Sequence, residues 1–306
     1  MHVIAIIATY NEERFIAGCL EHLFQQGVEV YLIDNCSSDQ TVAIAKRYLN
    51  RGLVRIEMFP HAGMFSLRPL LERKEQLAAT LEADWFMHVD ADEIRLPSRS
   101  NCSLAQAFTE VEAQGYNAVN FLEFTFIPTQ EAPDHDHPDF QKTMRWYYPF
   151  LPRFPHRLNA WKQQPKRVEL TWSGGHVVRF PGLRMYPESF HMKHYLFLSV
   201  PHAIRKFVDR VYDPAEVKNG FHRSRINIKP EMTILPTQSE LRTYLSDDKL
   251  DPSNPRTKHY LAEVLTAQQA NLTAQADSES PIRKLIRLGK AGLRSCKDIM
   301  KRLFKK

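Results

Sequence analysis

The sequence predicts an α/β fold in which helices flank a mostly parallel sheet. Short apolar runs of strand length alternate with longer amphipathic segments over the first 125 of the 306 residues. Polar residues follow three of these runs directly, where parallel strands would present their carboxyl ends to a ligand. Nine of the 19 prolines fall between Pro128 and Pro187, so a loop-rich but folded region is expected there.

The first three strands and two helices are predicted from hydrophobic periodicity. Val3–Ala8 is an apolar run, Val28–Ile33 has a β-branched centre, and Val54–Met58 resembles it in length. Glu12–Gln26 places its apolar residues on one helical face, and Asp39–Leu49 follows the second strand as a further helix. This order of strand, helix and strand is typical of βαβ units.

The same alternation continues to residue 126. Pro69–Glu82 is predicted as a helix, because a proline near the first turn is tolerated there. Trp85–Val89 is predicted as a buried strand, and Leu104–Gln114 is a helix that stops at Gly115, a residue suited to the position after a helix. Asn117–Phe126 is the last strand of this half.

The domain prediction follows from the change from alternating strands and helices to the proline-rich region, and from the segments after it. Residues 199–213 and 236–280 look helical, with polar linkers inside the second segment. We therefore expect a main domain at residues 1–235, with its two halves at residues 1–125 and 126–235. A helical extension would follow at residues 236–280, and a basic tail at residues 281–306.

The net charge of +6 is unevenly distributed. Residues 282–306 contain ten Lys or Arg and one Asp, a charge of +9, so residues 1–281 carry −3. Apolar residues recur in the tail at three- and four-residue steps, which predicts a C-terminal amphipathic helix. Such a helix can bind an anionic membrane surface, although it could instead pack on the body or bind a partner protein. A nucleic-acid partner would depend on this tail alone, and none is expected.

Location is predicted from the apolar runs and the cysteines. Val3–Ala8 is too short to span a bilayer, and it lacks the flanks of a secretory signal. The four cysteines lie far apart without CxxC spacing, which favours a reducing compartment over a disulfide framework or zinc ribbon. We expect a cytoplasmic protein that is peripheral on the inner face of the cell membrane.

Three polar motifs follow predicted strands: Thr9-Tyr10-Asn11-Glu12-Glu13, Asp34-Asn35-Cys36-Ser37-Ser38-Asp39-Gln40-Thr41 and Asp90-Ala91-Asp92-Glu93. Each alone could be a helix cap or an exposed acidic turn. Carboxylates one residue apart at a strand end can approach one hard divalent cation, which binds carboxylates together with substrate phosphates. No glycine-rich phosphate loop follows the first strand. The combination therefore favours a nucleotide held by carboxylates and a metal.

In this order the motifs resemble those of the family 2 glycosyltransferases with the GT-A fold, over residues 1–125. The resemblance implies a Rossmann-like nucleotide-diphospho-sugar transferase with its acceptor side in residues 126–235. It implies transfer from a nucleotide sugar, most commonly a UDP-sugar, to a glycan or lipid-linked acceptor, as in polysaccharide biosynthesis. It also implies inversion and a Mn²⁺ or Mg²⁺ ion that bridges the diphosphate.

The resemblance also implies roles for individual residues. Asp92 would bind the metal in a DxD motif with Asp90, which would lie near the ribose or the phosphates. Contacts to the nucleotide sugar would come from Thr9, Tyr10, Asn11, Glu12 or Glu13, Asp34, Asp39, Arg73 and Asp90. Arg68 and Lys74, beside Arg73, could offset phosphate charge or face solvent on their helix.

The catalytic base is not located by the resemblance, because the Glu-Asp pair of the family is absent from this chain. Glu123, inside an apolar run, and Glu188 are the candidates, and each could instead be an ordinary strand or loop acid. The pair Gly174-Gly175 would let the backbone approach a ligand. His176 and His194 are candidate metal or phosphate ligands, unless they are hydrogen-bonded structural histidines.

Two further segments carry open alternatives. Asp134–Asp139 could bind metal by composition or lie on a solvated loop, and Arg145–Tyr148 with Arg157 and Trp161 could form an acceptor surface or core. Two other classes compete with a glycosyltransferase. A nucleotidyltransferase would need a glycine-rich loop after the first strand, and a non-catalytic glycan- or partner-binding scaffold would explain the missing Glu-Asp pair.

Overall fold

The computed structural model describes residues 1–61, 63–219 and 234–260. Within them, ten strands form a single mixed sheet. The strands are β1 (Val3–Thr9), β2 (Glu29–Asp34), β3 (Leu53–Met58), β4 (Trp85–Val89), β5 (Glu93–Leu96), β6 (Ala118–Phe126), β7 (Trp146–Phe150), β8 (Arg157–Lys162), β9 (Phe190–Tyr195) and β10 (Arg242–Thr243).

Helices connect the strands and cover the sheet. The α-helices are α1 (Ile16–Gln25), α2 (Thr41–Lys46), α3 (Leu67–Thr80), α4 (Leu104–Ala113), α5 (Phe140–Thr143), α6 (Val200–Ala203) and α7 (Pro214–Lys218). A π-helical turn, Ile204–Val208, continues directly from α6. Short 3₁₀ turns occupy Thr171–Ser173, Gln238–Glu240 and Asp247–Lys249.

The main path through the sheet runs β10-β7-β6-β8-β4-β1-β2-β3. Strands β1 to β4 pair in parallel, whereas β8 is antiparallel to β4 and to β6. Strand β9 pairs parallel with β6 and antiparallel with β5. The α/β fold class with helices around a mostly parallel centre is confirmed, and antiparallel strands extend it on the β6 side.

The core lies on both faces of the sheet, as the alternation of a strand requires. On β1, Val3, Ala5 and Ile7 belong to the cluster that includes the apolar face of α1, whereas Ile4 and Ile6 belong to the cluster that includes α3. Both sets are buried. The central strands β1 and β4 are thus buried on both faces and form mostly apolar runs in the sequence.

Several helices begin where their sequences supply caps. Ser103 Oγ accepts from the backbone N–H of Gln106, and the Gln106 side chain caps in return, so α4 starts with a capping box. Asp213 Oδ1 accepts from the N–H of Ala215 at 2.8 Å, and Pro214 occupies the first turn of α7.

The sequence predictions differ from the structure mainly after residue 126. The helical prediction for 236–280 was wrong over residues 236–259, where 3₁₀ turns and the short strand β10 lie against β7. Residues 126–195 contain three strands, and β5 was missed because its charged residues hide a short buried strand. Residues 261–280 and the predicted tail 281–306 lie outside the described residues. None of the described helices has the length and apolar character needed to cross a membrane.

Candidate active site

A cavity of about 680 Å³ lies at the carboxyl ends of β1 and β4. Its walls include Glu12 from the loop after β1 and the segment Asp90–Asp92 after β4. Helix α3 contributes Lys74, and the π-helical turn contributes Lys206. A neighbouring cavity of about 470 Å³ shares the Glu12 and Lys206 walls. Two of the three predicted motifs therefore meet at the larger cavity.

The loops after β1 and β2 are joined by hydrogen bonds. Asn11, with a positive φ of 58°, donates its N–H to Ser37 Oγ at 2.9 Å and accepts from the N–H of Ser38 at 2.8 Å. Asp39 accepts from the N–H of Glu13 at 3.1 Å. Asn11, Glu13 and Asp39 line the smaller cavity, where these contacts hold the two loops in one register.

Three of the predicted nucleotide contacts lie beside the cavities rather than on their walls. Asp34 is fully buried and accepts from Thr9 Oγ1 at 3.3 Å and from the N–H of Ser37 at 2.9 Å. Arg73 forms a two-point ion pair with Glu57, at 2.8 and 2.9 Å. The nucleotide roles of Thr9, Asp34 and Arg73 stay predictions.

Tyr10 presents an aromatic wall to both cavities. Its ring stacks on His61 with centroids 4.6 Å apart and an interplanar angle of 7°. The Arg210 guanidinium lies 5.7 Å from the Tyr10 centroid and 4.7 Å from that of Phe65. This wall combines a flat ring with a cation, an arrangement that suits a base followed by a phosphate.

Asp92 is buried and its charge is compensated by the chain itself. Lys206 Nζ donates to Asp92 Oδ2 at 2.5 Å, and His194 Nε2 lies 3.4 Å from the same oxygen. Burial opposes the ionised form, but Lys206 and His194 outweigh it and hold the pKa of Asp92 well below its ordinary value. Asp90 is different, because its side chain is 49% exposed and faces His88 Nε2 at 3.8 Å.

Lys74 and His88 form a buried pair behind Asp90. Lys74 Nζ donates to His88 Nδ1 at 2.9 Å and to the carbonyl of Val89 at 3.3 Å. Burial lowers the pKa of Lys74 to about 8, and burial with the Lys74 charge holds the pKa of His88 well below its ordinary value. His88 is therefore neutral, with its proton on Nε2 toward Asp90.

Gly175 lets the chain pass close to this pair. Its φ is +88°, and a Cβ atom added there would lie 2.8 Å from His88 Nε2 and 3.1 Å from Leu71 Cδ2. Gly174 also has a positive φ, of 70°. Gly174 lines the cavity, whereas Gly175 packs against the imidazole that faces Asp90, and the approach of the pair to a ligand stays a prediction.

Glu123 lies outside the cavity walls, within a buried ionic network. Its Oε1 accepts from His194 Nδ1 at 2.7 Å, and its Oε2 accepts from Arg157 Nε at 2.8 Å. Burial opposes the ionised form, but Arg157 and His194 hold the pKa of Glu123 well below its ordinary value. Burial also opposes the charged His194, yet Asp92 and Glu123 raise the pKa of His194 to about 10. Glu123 thus acts as a counter-ion.

The other predicted residues are placed apart from Asp92. His176 lines the cavity, and its Nδ1 lies 2.7 Å from Arg157 Nη1. Burial and the charge of Arg157 hold the pKa of His176 well below its ordinary value. Glu188 is exposed on the loop before β9 and lines neither cavity. Roles for Glu188 and His176 stay predictions.

Glu12 emerges as a cavity residue that the sequence marked only as an alternative to Glu13. Its Oε2 is buried and has no hydrogen-bond partner among the described residues. Burial raises the pKa of Glu12 to about 7, against the opposing charge of Lys206. Nothing in the sequence marks Lys206 as a site residue, because it lies in a segment with an ordinary helical pattern. Its role depends on packing.

The predicted acceptor surface is partly core. Tyr147, Tyr148 and Trp161 are buried, whereas the cavity rim carries Trp172, whose side chain the sequence did not single out. Trp172 is 47% exposed, and the Arg153 guanidinium lies 6.0 Å from its ring centroid. The Asp134–Asp139 segment is not on the cavity walls.

The donor set at Asp92 does not fit a resident divalent ion in this arrangement. Asp92 Oδ2 carries an ammonium partner, Lys206, and His194 is engaged on both ring nitrogens by carboxylates. Within residues 1–61, 63–219 and 234–260, no group of three or more His, Cys, Asp or Glu residues is arranged to hold a metal. The expectation of Mn²⁺ or Mg²⁺ stays a prediction, which the experiments below decide.

A family match covers the first part of this site. Residues 4–68 match the family described as glycosyl transferase family 2. The segment includes the loops after β1 and β2 and ends before Asp90 and Asp92. The match agrees with the resemblance over this segment. A comparison with curated proteins gave no match.

The chain is also similar in part to solved structures of TarS from S. aureus. TarS 1–349 in complex with UDP is 21% identical, with 42% of this chain and 36% of that chain covered and a TM-score of 0.30. The corresponding UDP-GlcNAc complex is also 21% identical, with 42% of this chain and 35% of that chain covered and a TM-score of 0.28. A further structure of TarS is 13% identical, with 64% of this chain and 37% of that chain covered and a TM-score of 0.37. The chain covers little more than a third of each of these structures.

Proposed function

We propose, from the match of residues 4–68 to glycosyl transferase family 2, that the chain moves a sugar from a nucleoside diphosphate sugar to a hydroxyl group. The observation that carries the proposal is the cavity where the loop after β1 meets Asp90 and Asp92. Its walls also hold the cations Lys74, Arg153, Arg157, Lys206 and Arg210. A neutral sugar alone would need few cations, whereas a diphosphate would be stabilised by several.

The nucleoside would lie toward Tyr10 and the smaller cavity. The Tyr10 ring, which stacks on His61, would contact the base, and Arg210 lines both cavities beside it. A UDP-sugar is the first donor to test and a GDP-sugar the second. This orientation would direct the diphosphate toward Lys206 and Lys74.

The chemistry would be a single displacement. The acceptor oxygen forms a bond to the anomeric carbon while the bond from that carbon to the diphosphate oxygen breaks, with inversion. The nucleoside diphosphate leaves with the bonding electrons, and the cavity cations stabilise its charge. The hydroxyl proton passes to a carboxylate on the wall, and Glu12 and Asp90 are the two with accessible or unpartnered oxygens.

The acceptor would approach from the rim that carries Trp172. An exposed aromatic ring flanked by Arg153 offers a face for a sugar ring and a charge for an anionic group. A glycan or lipid-linked acceptor fits this rim. The charge of +9 on residues 282–306 would hold the protein at an anionic membrane where such acceptors lie.

Calorimetry with UDP and GDP tests the donor proposal. We expect one of them to bind the full chain, and the matching nucleotide sugar to be hydrolysed slowly without an acceptor. Binding without any hydrolysis or transfer would favour the non-catalytic scaffold, for which the fully engaged Glu123 is the specific observation. Failure of both nucleotides to bind, with and without Mn²⁺, would reject the donor proposal.

Vesicle sedimentation tests the membrane proposal. The full chain should sediment with vesicles that contain anionic phosphatidylglycerol and remain in solution with pure phosphatidylcholine, because the attraction is electrostatic. Substitution of Lys297, Lys301 and Arg302 by Gln should weaken sedimentation, whereas the same substitution at Lys142, Lys162 and Arg179 should not. Equal binding to both vesicle types would contradict it.

A further inference from the structure

We propose that Lys206 is the cation of the donor site, so that its ammonium group stabilises the diphosphate and no divalent metal at Asp90 and Asp92 is required. The inference rests on the proposed function, since it concerns how the same cavity holds a nucleoside diphosphate. It differs from the metal dependence that the sequence resemblance implies. The disagreement between that resemblance and the donor set around Asp92 is its starting point.

Lys206 occupies the place that a metal bound by Asp92 would take. Its Nζ lies 2.5 Å from Asp92 Oδ2, and its side chain is 12% exposed on the wall of both cavities. The rings of Phe15 and Phe207 lie 5.3 and 5.9 Å from Nζ. The aliphatic stem and the ammonium are thus held by packing, unlike a surface lysine.

The backbone that carries Lys206 is specialised. The π-helical turn Ile204–Val208 contains Lys206 at its centre, and the N–H of Asp209 donates to the carbonyl of Ile204 at 3.1 Å. π-helical turns are rare and occur frequently at functional sites, because the extra residue redirects a side chain. The preceding α6 is fixed at its start by Ser199, whose Oγ accepts from the N–H of His202 at 3.2 Å. The lysine is therefore aimed by two linked helical elements.

The surrounding charges favour a resident ammonium. Asp92 forms an ion pair with Lys206. The Glu12 carboxylate also interacts electrostatically with Lys206, and its Oε2 has no hydrogen-bond partner in the described part of the chain. Arg210 lines the cavity next to them. A divalent ion at Asp92 Oδ2 would have to displace Lys206 and break this buried ion pair. A diphosphate can instead join the Lys206 contact without displacing it.

Metal dependence of nucleotide binding tests this inference. Calorimetry with UDP and GDP is run on the wild type, Lys206→Gln and the exposed Lys142→Gln control, each in EDTA and in Mn²⁺. We expect wild-type and control affinities in EDTA to stay within about twofold of those in Mn²⁺. Lys206→Gln should lose about 10- to 100-fold in EDTA, as for a charge-assisted bond, and regain part of that in Mn²⁺ because Asp92 becomes available.

Direct binding of Mn²⁺ gives a second readout that needs no nucleotide. Titration followed by electron paramagnetic resonance should show weak binding to the wild type and binding about tenfold tighter to Lys206→Gln, a gain that Asp92→Asn removes. Circular dichroism melts establish that each variant is folded. Wild-type nucleotide binding that EDTA abolishes and Mn²⁺ restores would overturn the inference alone. No binding of either nucleotide under any condition would overturn the proposed function and this inference with it.

Discussion

The imidazole of His194 is fixed by Glu123: Nδ1 of the histidine lies 2.7 Å from Oε1 of the glutamate, in a buried environment. The opposite nitrogen of His194 faces Asp92 at 3.4 Å. Glu123 does not line the cavity and is linked to it through residues that do, His194 and Arg157. We therefore expect Glu123 to be a positioning residue, and we predict that a carboxylate on the cavity wall accepts the proton.

Glu123→Gln should destabilise the fold by about 3–5 kcal/mol, because Arg157 and His194 would lose their buried counter-ion. Urea unfolding measures the change. The exposed Glu188→Gln is the matched control and should shift stability by less than about 0.5 kcal/mol. A Glu123→Gln variant of unchanged stability whose turnover alone collapses would instead favour the base role predicted from the sequence.

Glu12→Gln should lower kcat for donor hydrolysis by about 10²- to 10⁴-fold if Glu12 accepts the proton, with a smaller change in KM. Since burial raises the pKa of Glu12 to about 7, the wild-type rate should rise with pH through that value. The variant should lack this rise. Glu13→Gln, whose carboxylate accepts from the N–H of Gln40 at 3.1 Å, is the control and should keep it. A rise retained in Glu12→Gln would exclude Glu12 and point to Asp90.

Gly175→Ala should destabilise the protein by about 1–3 kcal/mol, because alanine is strained at this positive φ and the new Cβ would clash with His88. It should also reduce nucleotide binding, because His88 faces Asp90 at the cavity. Gly182→Ala is a matched control with a φ of +75° and open space around the added atom. It should lose only about 1 kcal/mol and keep nucleotide affinity. Thermal melts and calorimetry compare the two variants. Equal losses of stability and of nucleotide affinity in both would refute a role for the close contact between Gly175 and His88.

Lys74 gives a pH dependence of stability with a definite sign. Its folded pKa is about 8 against an ordinary 10.5, so the unfolded chain binds more protons between these values and stability rises with pH in that window. Relative to Lys74→Met, the wild type should gain on the order of 2 kcal/mol from about pH 7 to about pH 9.5. Urea midpoints measure the difference, and parallel pH curves for the two proteins would contradict it.

The sequence predicted the parallel half of the fold within a few residues, because β1, β2 and β4 are mostly apolar runs and the helices between the strands have apolar faces. It did not predict β5, where buried Glu93 and Arg95 pair with each other, nor β10, which has only two residues. In both places the local pattern is polar or short, and pairing with distant strands decides the structure.

The sequence by itself determined the α/β class, the loops after β1 and β2, and the presence of Asp90 and Asp92 at a strand end, since these depend on local periodicity and on motifs of adjacent residues. Only the tertiary structure decided which cations and carboxylates meet. Lys206 and Asp92 are 114 residues apart in the chain, and His194 and Glu123 are 71 apart. Such contacts arise from sheet order and from the π-helical turn, and burial makes them strong by removing competing water.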